Sequence, residues 1–461
     1  MDLQELRALL KGYVESDPES LKTLSTDFGR LVYATPAAVV APADADDVRR
    51  LLDWANQHGC PVAVRGSGHS QGGQSLNLQE GVLLDMTSLR RVDRPKDGTV
   101  WVDAGATWED VLEHVMPRGW VPPVLTNNLA VTVGGTLSVG GLGAASHRCG
   151  TQADNVEELE VVTGVGDLVR CSTSENRDLF DAVRSGLGQF AVIVRAKLKL
   201  RRYSPNVRTF YLLYDDLQAL MQDCEQILHD QRFDFIEGWC APCAQGLRTI
   251  GGIRVPFAEW FFPVHLGVEY ADSAPSEHLL HGLRFYRSVY LEDSALESYF
   301  RRMEPVFELW RESGDWRLHH PWMEAILPWE RAGEYISGVL RSLPPTLLGY
   351  GHVLLWPCRG AVSETPMFVH PGGEFVMAFG IRPAVSRTQL KMALSLLDKA
   401  GDLVYQIGGK RYLSGWLGFD SSRWQRHFGD RQREVRAWKR FFDPNSVLSS
   451  GFIQYNEGES E

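Results

Sequence analysis

The sequence predicts an α+β fold with more than one domain. Three observations carry that expectation. A strand, a helix and a second strand follow one another over residues 37–65; short strands and helices then mix without a fixed repeat as far as residue 200. From about 201 to 414 the texture changes, with tryptophan and tyrosine accumulating beside long helical stretches. A chain of 461 residues is long enough for two or three cores.

Taken in order, AAVVAP predicts a strand because its β-branched residues suit a pleated surface. Asp44 or Asp46 can cap the helix that follows, Val48, Leu51, Leu52 and Ala55 form its apolar stripe, and Gly59 ends it. PVAVRG, GVLLDM and TVWVDAG read as further strands, and Thr107 with Asp110 forms a capping box at the head of a short helix over TWEDVLEHVMPRG. VEELEVVTG, LVRCST and FAVIVRAKLKL are strands around the helical NRDLFDAVRSG. In the later region, DDLQALMQDCEQILHDQ and TQLKMALSLLDKAGDLVYQ have helical spacing. The chain closes on DSSRWQRHFGDRQREVRAWKRFFDPNSVLSSG, read as one Arg-rich helix that stops at Asp443-Pro444 because proline cannot continue it.

Composition narrows the partners. Lys and Arg number 47 against 58 Asp and Glu, a net charge of -11, so there is no basic footprint for nucleic acid or an anionic membrane, and a small molecule is the expected partner. Seven scattered cysteines, an odd number, form no disulfide framework and suggest a reducing, cytoplasmic setting. Cys240 and Cys243 stand alone as a pair, without the second pair a zinc site needs, and no metal site is expected. The opening MDLQELRALLKGYVESDPES carries Asp2 and Glu5 and lacks an apolar run, so it is not read as a targeting peptide. Leu129–Ser146 has no charge but is broken by five glycines, which favours a backbone-binding loop over a membrane span.

The chemistry concentrates in glycine. RGSGHSQGGQS, residues 65–75, follows a strand directly, and its N–H groups can approach a phosphate closely. Gly66, Gly68 and Gly72 imitate a dinucleotide fingerprint, yet the sequel QGGQSLNLQEG is poor helix material, which argues against a nicotinamide-type Rossmann loop. His69 inside this loop can hydrogen-bond, exchange a proton or form a covalent link. TVGGTLSVGGLG (132–143) and SGLGQFAVIV, with Gly186 and Gly188, repeat the arrangement. Three such loops within 200 residues point to one extended ligand with a phosphate-containing tail.

STDFGRLVYATPAAVVAP, RGSGHSQGGQS, TVGGTLSVGG, NVEELEVVTGVGDLVRCS, NRDLFDAVRSGLGQFAVIVRA, FDFIEGW, HPW, KRYLSGW and FDPNSVLSSG occur in the order in which similar segments run in cytokinin dehydrogenases. The chain thus resembles that family along nearly its whole length, and through it the vanillyl-alcohol oxidase and para-cresol methylhydroxylase superfamily, which includes the berberine bridge enzymes. The resemblance implies FAD and a split FAD-binding domain (1–200 and 415–461) around a central substrate domain (201–414) of antiparallel sheet flanked by helices. It places the flavin-linking histidine at His69, bonded to the 8α-methyl of the ring. Gly66, Ser67, Gly68, Ser70 and Gln74 match cofactor-binding positions in the same loop. Thr132, Ser138 and Leu142 match positions in the second loop, Ile193 one on the strand after the third, and Tyr412, Ser449 and Phe452 positions in the C-terminal return. Berberine bridge enzymes often add a second, cysteinyl link before the second loop; VLTNNLAVTVGG has no cysteine, so a single link is expected.

One position departs from the resemblance. Cytokinin dehydrogenases usually have aspartate seven residues before the Gly-Gly of Gly-Gly-Thr-Leu-Ser, and here Asn127 stands there. An amide cannot serve as a base at neutral pH. The expected reaction is therefore transfer of hydride to flavin N5 from a C–H next to N or O of a substrate other than cytokinin. The alternatives are a cytokinin dehydrogenase proper and a flavin-binding protein without turnover. Oxygen or another acceptor would reoxidise the flavin, in a monomer or homodimer. Asn127 can orient a substrate; Glu237, Tyr412, His352 and His320 are the candidate bases, with Glu237 expected to have its pKa raised by desolvation in an aromatic pocket. Trp239, Trp260, Phe261, Phe262, Trp322 and Trp356 are the candidate pocket aromatics.

Overall fold

The computed structural model describes residues 3–448, Gly451 and Ile453. Ser449 and Phe452 lie outside these residues. The first region holds β1 (Tyr13–Glu15), β2 (Ala38–Ala41), β3 (Val62–Arg65), β4 (Val82–Asp85), β5 (Thr99–Asp103), β6 (Val156–Thr163), β7 (Leu168–Ser172) and β8 (Ala191–Lys199). They form two four-stranded sheets, ordered β1-β2-β4-β3 and β5-β8-β6-β7. In the first, β2 and β3 both run parallel to β4, which the crossover helix Ala45–His58 makes possible. Asp44 caps that helix by accepting the Asp47 N–H, and Gly59 ends it at φ 59°. Thr107 and Asp110 form the expected capping box on Trp108–Val115.

The second region holds β9 (Asn206–Tyr214), β10 (Phe235–Ile250), β11 (Ile253–Tyr270), β12 (Arg287–Ala295), β13 (Met323–Pro328), β14 (His352–Arg359), β15 (Phe375–Arg382) and β16 (Lys410–Arg411). These make one eight-stranded sheet, ordered β12-β9-β11-β10-β14-β15-β13-β16, antiparallel throughout. Side chains alternate between faces. On one face Leu212, Ile236, Phe262, Leu355 and Phe379 pack under the helices Leu217–Asp230, Trp329–Ser342 and Arg387–Gln406. On the other, Leu354, Trp356, Val376 and Ala378 pack against Leu142, Phe368 and Tyr412, which joins the sheet to the first region. Each buried large apolar side chain stabilises this arrangement by about 1.5–3 kcal/mol.

Two local expectations are corrected. The Arg-rich C-terminal stretch is two helices, Ser421–Phe428 and Gln432–Phe442, because Gly429 adopts φ 56° and turns the chain between them. The second glycine-rich stretch, expected as a loop, contains the short helix Val133–Leu137. The last helix carries Val435 and Trp438 into the core of the first region, and Lys439 Nζ donates to the Gln189 carbonyl at 2.8 Å. The C-terminal segment is thereby returned to the N-terminal sheets.

Candidate active site

The loop after β3 is held from below by residues 27–29. Phe28 N–H donates to the Gly68 carbonyl (2.9 Å) and Gly29 N–H to the Ser70 carbonyl (3.0 Å). Asp27 Oδ2 accepts from the Ser70 hydroxyl (2.9 Å) and the Gly73 N–H (2.7 Å). Gly29 must be glycine because a side chain there would overlap the Gln71 backbone. Burial pushes the Asp27 carboxyl up to about 6. Gln74 ties the loop to the C-terminal return, donating to the Gly415 carbonyl at 2.7 Å.

The other two loops close on the first. A side chain at Gly66 would overlap the Thr132 hydroxyl, so the Gly66 backbone lies directly against the Thr132 side chain of the second loop. Ser138 Oγ donates to the Gly134 carbonyl at 2.8 Å, and Leu187 N–H of the third loop donates to the Ser138 carbonyl at 2.9 Å. Ser185 and Leu187 hold φ of 61° and 55°, a region costly for residues with a side chain, beside the contact. Tyr412 anchors the second loop from the sheet: its hydroxyl accepts the Gly141 N–H at 3.1 Å, and burial raises its phenol above the ordinary tyrosine value. That phenol stays protonated at neutral pH, which removes Tyr412 from the candidate bases.

The three loops and the sheet enclose one cavity of about 260 Å³. Gly66, Ser67, Gly68, His69, Ser70 and Gln74 line it from the first loop. Thr132, Ser138 and Leu142 line it from the second, with Ile193, Asn127 and Tyr412. FAD fits this arrangement. Among the described residues no hydrogen bond occupies the N–H groups of Ser67, Gly68, His69 and Ser70, while the Gly68 and Ser70 carbonyls are taken from below. Such a run of free N–H groups suits a pyrophosphate. Gly188 also lines the cavity, and a Cβ there would meet nothing within 4 Å.

His69 is held by rings. Its imidazole stacks on Phe28 with centroids 4.2 Å apart, and Phe28 stacks on His320 at 4.2 Å. Its Nε2 lies 3.3 Å from the Asn128 amide nitrogen. Burial, followed by the nearby His320, Arg382 and Arg311, lowers the imidazole to about 3, so it is neutral at physiological pH. His320 is lowered to about 4 and His352 to about 3, chiefly by burial, so neither has the proton affinity of a useful base. His320 does not line the cavity; His352 does.

Asn127 is fixed between opposite charges. Its amide donates to Glu237 Oε1, and its carbonyl accepts from Arg302 Nη2 at 2.8 Å; the same guanidinium nitrogen donates to Glu237 Oε2 at 2.8 Å. The expected upward shift of Glu237 is corrected. Burial does push its carboxyl up, but Arg302 and the Asn127 amide outweigh burial and hold it below the ordinary value. Glu237 is 1% exposed and does not line the cavity, so it is a partner of Asn127 rather than a free base.

Of the candidate aromatics, Trp322 and Trp356 line the cavity, joined by Phe307 and Trp310 of the helix Glu304–Ser313. Trp260 and Phe262 face the helices on the far side of the sheet, and Trp239 and Phe261 do not reach the cavity. Cys240 is buried and Cys243 exposed on β10, and all seven cysteines are free. Sequence reading missed Glu324, Arg382 and Ser414. Glu324 Oε1 accepts from Arg382 Nε (2.8 Å) and Nη2, and its Oε2 accepts from the Ser414 hydroxyl. All three line the cavity. A carboxylate two residues after Trp322, on a strand otherwise apolar, was the available signal.

Residues 36–172 match the family described as FAD binding domain, and residues 269–454 the family described as cytokinin dehydrogenase 1, FAD and cytokinin binding. The chain is 34% identical over 449 residues to an uncharacterized oxidoreductase, ORF5 in the fasciation locus, of Rhodococcoides fascians, covering 96% of this chain and 99% of that protein. It is 31% identical over 476 residues to cytokinin dehydrogenase 7 of Oryza sativa subsp. japonica, covering 94% and 90% of the two chains. Cytokinin dehydrogenase 5 of Arabidopsis thaliana is 30% identical over 481 residues, with 95% and 88% covered.

Proposed function

The chain belongs to the cytokinin dehydrogenase family of FAD-linked oxidoreductases, and from that premise we propose that it oxidises a small organic substrate at a C–H next to nitrogen or oxygen, with FAD bonded once, to His69. The observation that supports this best is the convergence of three glycine loops, a neutral histidine and an aromatic wall on one cavity. When bound, FAD supplies a ring that accepts the electron pair of the departing hydride.

The chain's own residues do the rest. The free N–H groups of the first loop would hold the pyrophosphate, and Thr132 and Ser138 line the same cavity. The neutral imidazole of His69 offers an unprotonated nitrogen, the form that can bond carbon, in a plane fixed by Phe28. No cysteine occurs in residues 124–135, which supports a single link. Trp310, Trp322 and Trp356 exclude water and suit a flat substrate. The Asn127 amide, saturated by Glu237 and Arg302, can orient but cannot take a proton, and this supports a substrate other than cytokinin. Oxygen or another two-electron acceptor would reoxidise the reduced flavin.

The test is anaerobic bleaching of the yellow flavin band by a panel containing the cytokinin isopentenyladenine, cinnamyl alcohol and N-methylcinnamylamine. The expected result is bleaching by an alcohol or amine at least 100-fold faster than by the cytokinin. Fastest bleaching by isopentenyladenine would instead make the chain a cytokinin dehydrogenase proper. A flavin that no compound bleaches would leave a binding protein without turnover.

A further inference from the structure

We infer that Glu324 is the catalytic residue that accepts the substrate's N–H or O–H proton, a task the amide at Asn127 cannot perform. The inference rests on the proposed oxidation of a C–H next to nitrogen or oxygen. Among the described residues that line the cavity, Glu324 is the single carboxylate. Asp27 lies beneath the first loop and Glu237 behind Asn127, and neither reaches the cavity wall.

The bonding of Glu324 leaves room for a substrate. Oε1 takes the Nε and Nη2 donors of Arg382, while Oε2 takes the Ser414 hydroxyl alone. An ionised carboxylate offers about four acceptor sites, so Oε2 retains one for a donor in the cavity. The residue is 4% exposed, where a carboxylate without a counter-charge would be costly to keep ionised, and Arg382 supplies that charge. Arg382 is itself fixed between Trp322 and Trp356, its guanidinium carbon 5.1 and 5.4 Å from the two ring centroids. Trp322, two residues before Glu324, has its ring 6.1 Å from that of His69, and all three line the same cavity.

The C–H of the substrate breaks and its hydrogen leaves with the electron pair to the flavin; the adjacent N–H or O–H breaks and its proton goes to Glu324 Oε2; a C=N or C=O bond forms. Two electrons are thus removed from the substrate and pass finally to dioxygen or another two-electron acceptor, and the carboxyl returns its proton to water. The substrate class follows from the same requirement: secondary amines and primary or secondary alcohols qualify, while tertiary amines and ethers, with no proton to give, do not.

Glu324→Gln tests this, because the amide keeps the shape, accepts from Arg382 and donates to Ser414. Flavin reduction is measured anaerobically with N-methylcinnamylamine, cinnamyl alcohol and N,N-dimethylcinnamylamine. The variant is expected to keep its flavin and to be reduced about 10²–10⁴-fold more slowly by the two compounds that carry a transferable proton. With the N,N-dimethyl compound, wild type and variant should be equally slow. Glu324→Asp, which keeps the carboxylate, should recover part of the loss and serves also if the glutamine variant does not fold. Reduction of Glu324→Gln within threefold of wild type, or an equal loss on all three compounds, would overturn the inference. A wild-type flavin that none of the three bleaches would instead overturn the oxidation on which it rests.

Discussion

At residue 127 an amide and a carboxylate differ by one charge, and the surroundings make that charge matter. Asn127, Glu237 and Arg302 together hold one negative and one positive charge in a buried triangle. An aspartate would place a second carboxylate against Glu237, and two carboxylates at that range cannot both remain ionised, so the pair would keep one proton to a pH above the ordinary carboxylate range. We predict that Asn127→Asp speeds flavin reduction by the allylic secondary amine N-methylcinnamylamine about tenfold. It should also lower the melting temperature at pH 8 but not at pH 5, since a folded-state pKa raised above the unfolded value gives stability at low pH that is lost as pH rises through it. Anaerobic flavin reduction and thermal melts at the two pH values check this; unchanged rates would remove position 127 from the proton-transfer argument. The substitution itself was legible in the sequence. Its consequence was not, because Arg302 lies 175 residues away in sequence.

At the scale of elements, the segment 27–29 acts as a clamp on the loop that carries His69, and its weak point is Asp27. Burial raises the carboxyl to about 6 from an ordinary 3.8, so the folded state favours the protonated form. Stability from this group is therefore greatest below pH 4 and falls as pH rises to 6, by about 3 kcal/mol at 1.36 kcal/mol per unit. Asp27→Asn, which can still accept the Gly73 N–H, is expected to flatten the melting temperature between pH 4 and 6 and to exceed wild type at pH 7. A variant that melts below wild type at pH 7 would show that the ionised form is needed. The loops themselves were readable because glycine after a β-branched strand has few other uses, and the caps at Asp44 and Thr107 were readable from local spacing. The break at Gly429 was missed because its flanks both carry helical periodicity, and only the positive φ separates them.

At the scale of the molecule, the cavity is built from residues between 64 and 414, with the first region supplying loops and the antiparallel sheet supplying aromatic and charged walls. Motif order made the fold and the cofactor legible from sequence. The inward face of the sheet was less so: strands buried on both faces read as continuous apolar runs, and nothing in PWMEAILP or VMAFGIRP says that Glu324 and Arg382 meet across neighbouring strands. For the same reason Trp260 and Phe262 could not be told from Trp322 and Trp356. The proposed chemistry requires FAD fixed to one histidine in that cavity. The most direct measurement is to denature the purified protein in acid, separate it from small molecules and map any retained flavin by peptide mass. We predict a yellow protein with a single FAD mass on the peptide containing His69, and a His69→Ala variant that binds FAD but releases all of it in acid. Flavin fully released from the wild type, or retained by His69→Ala, would contradict the account.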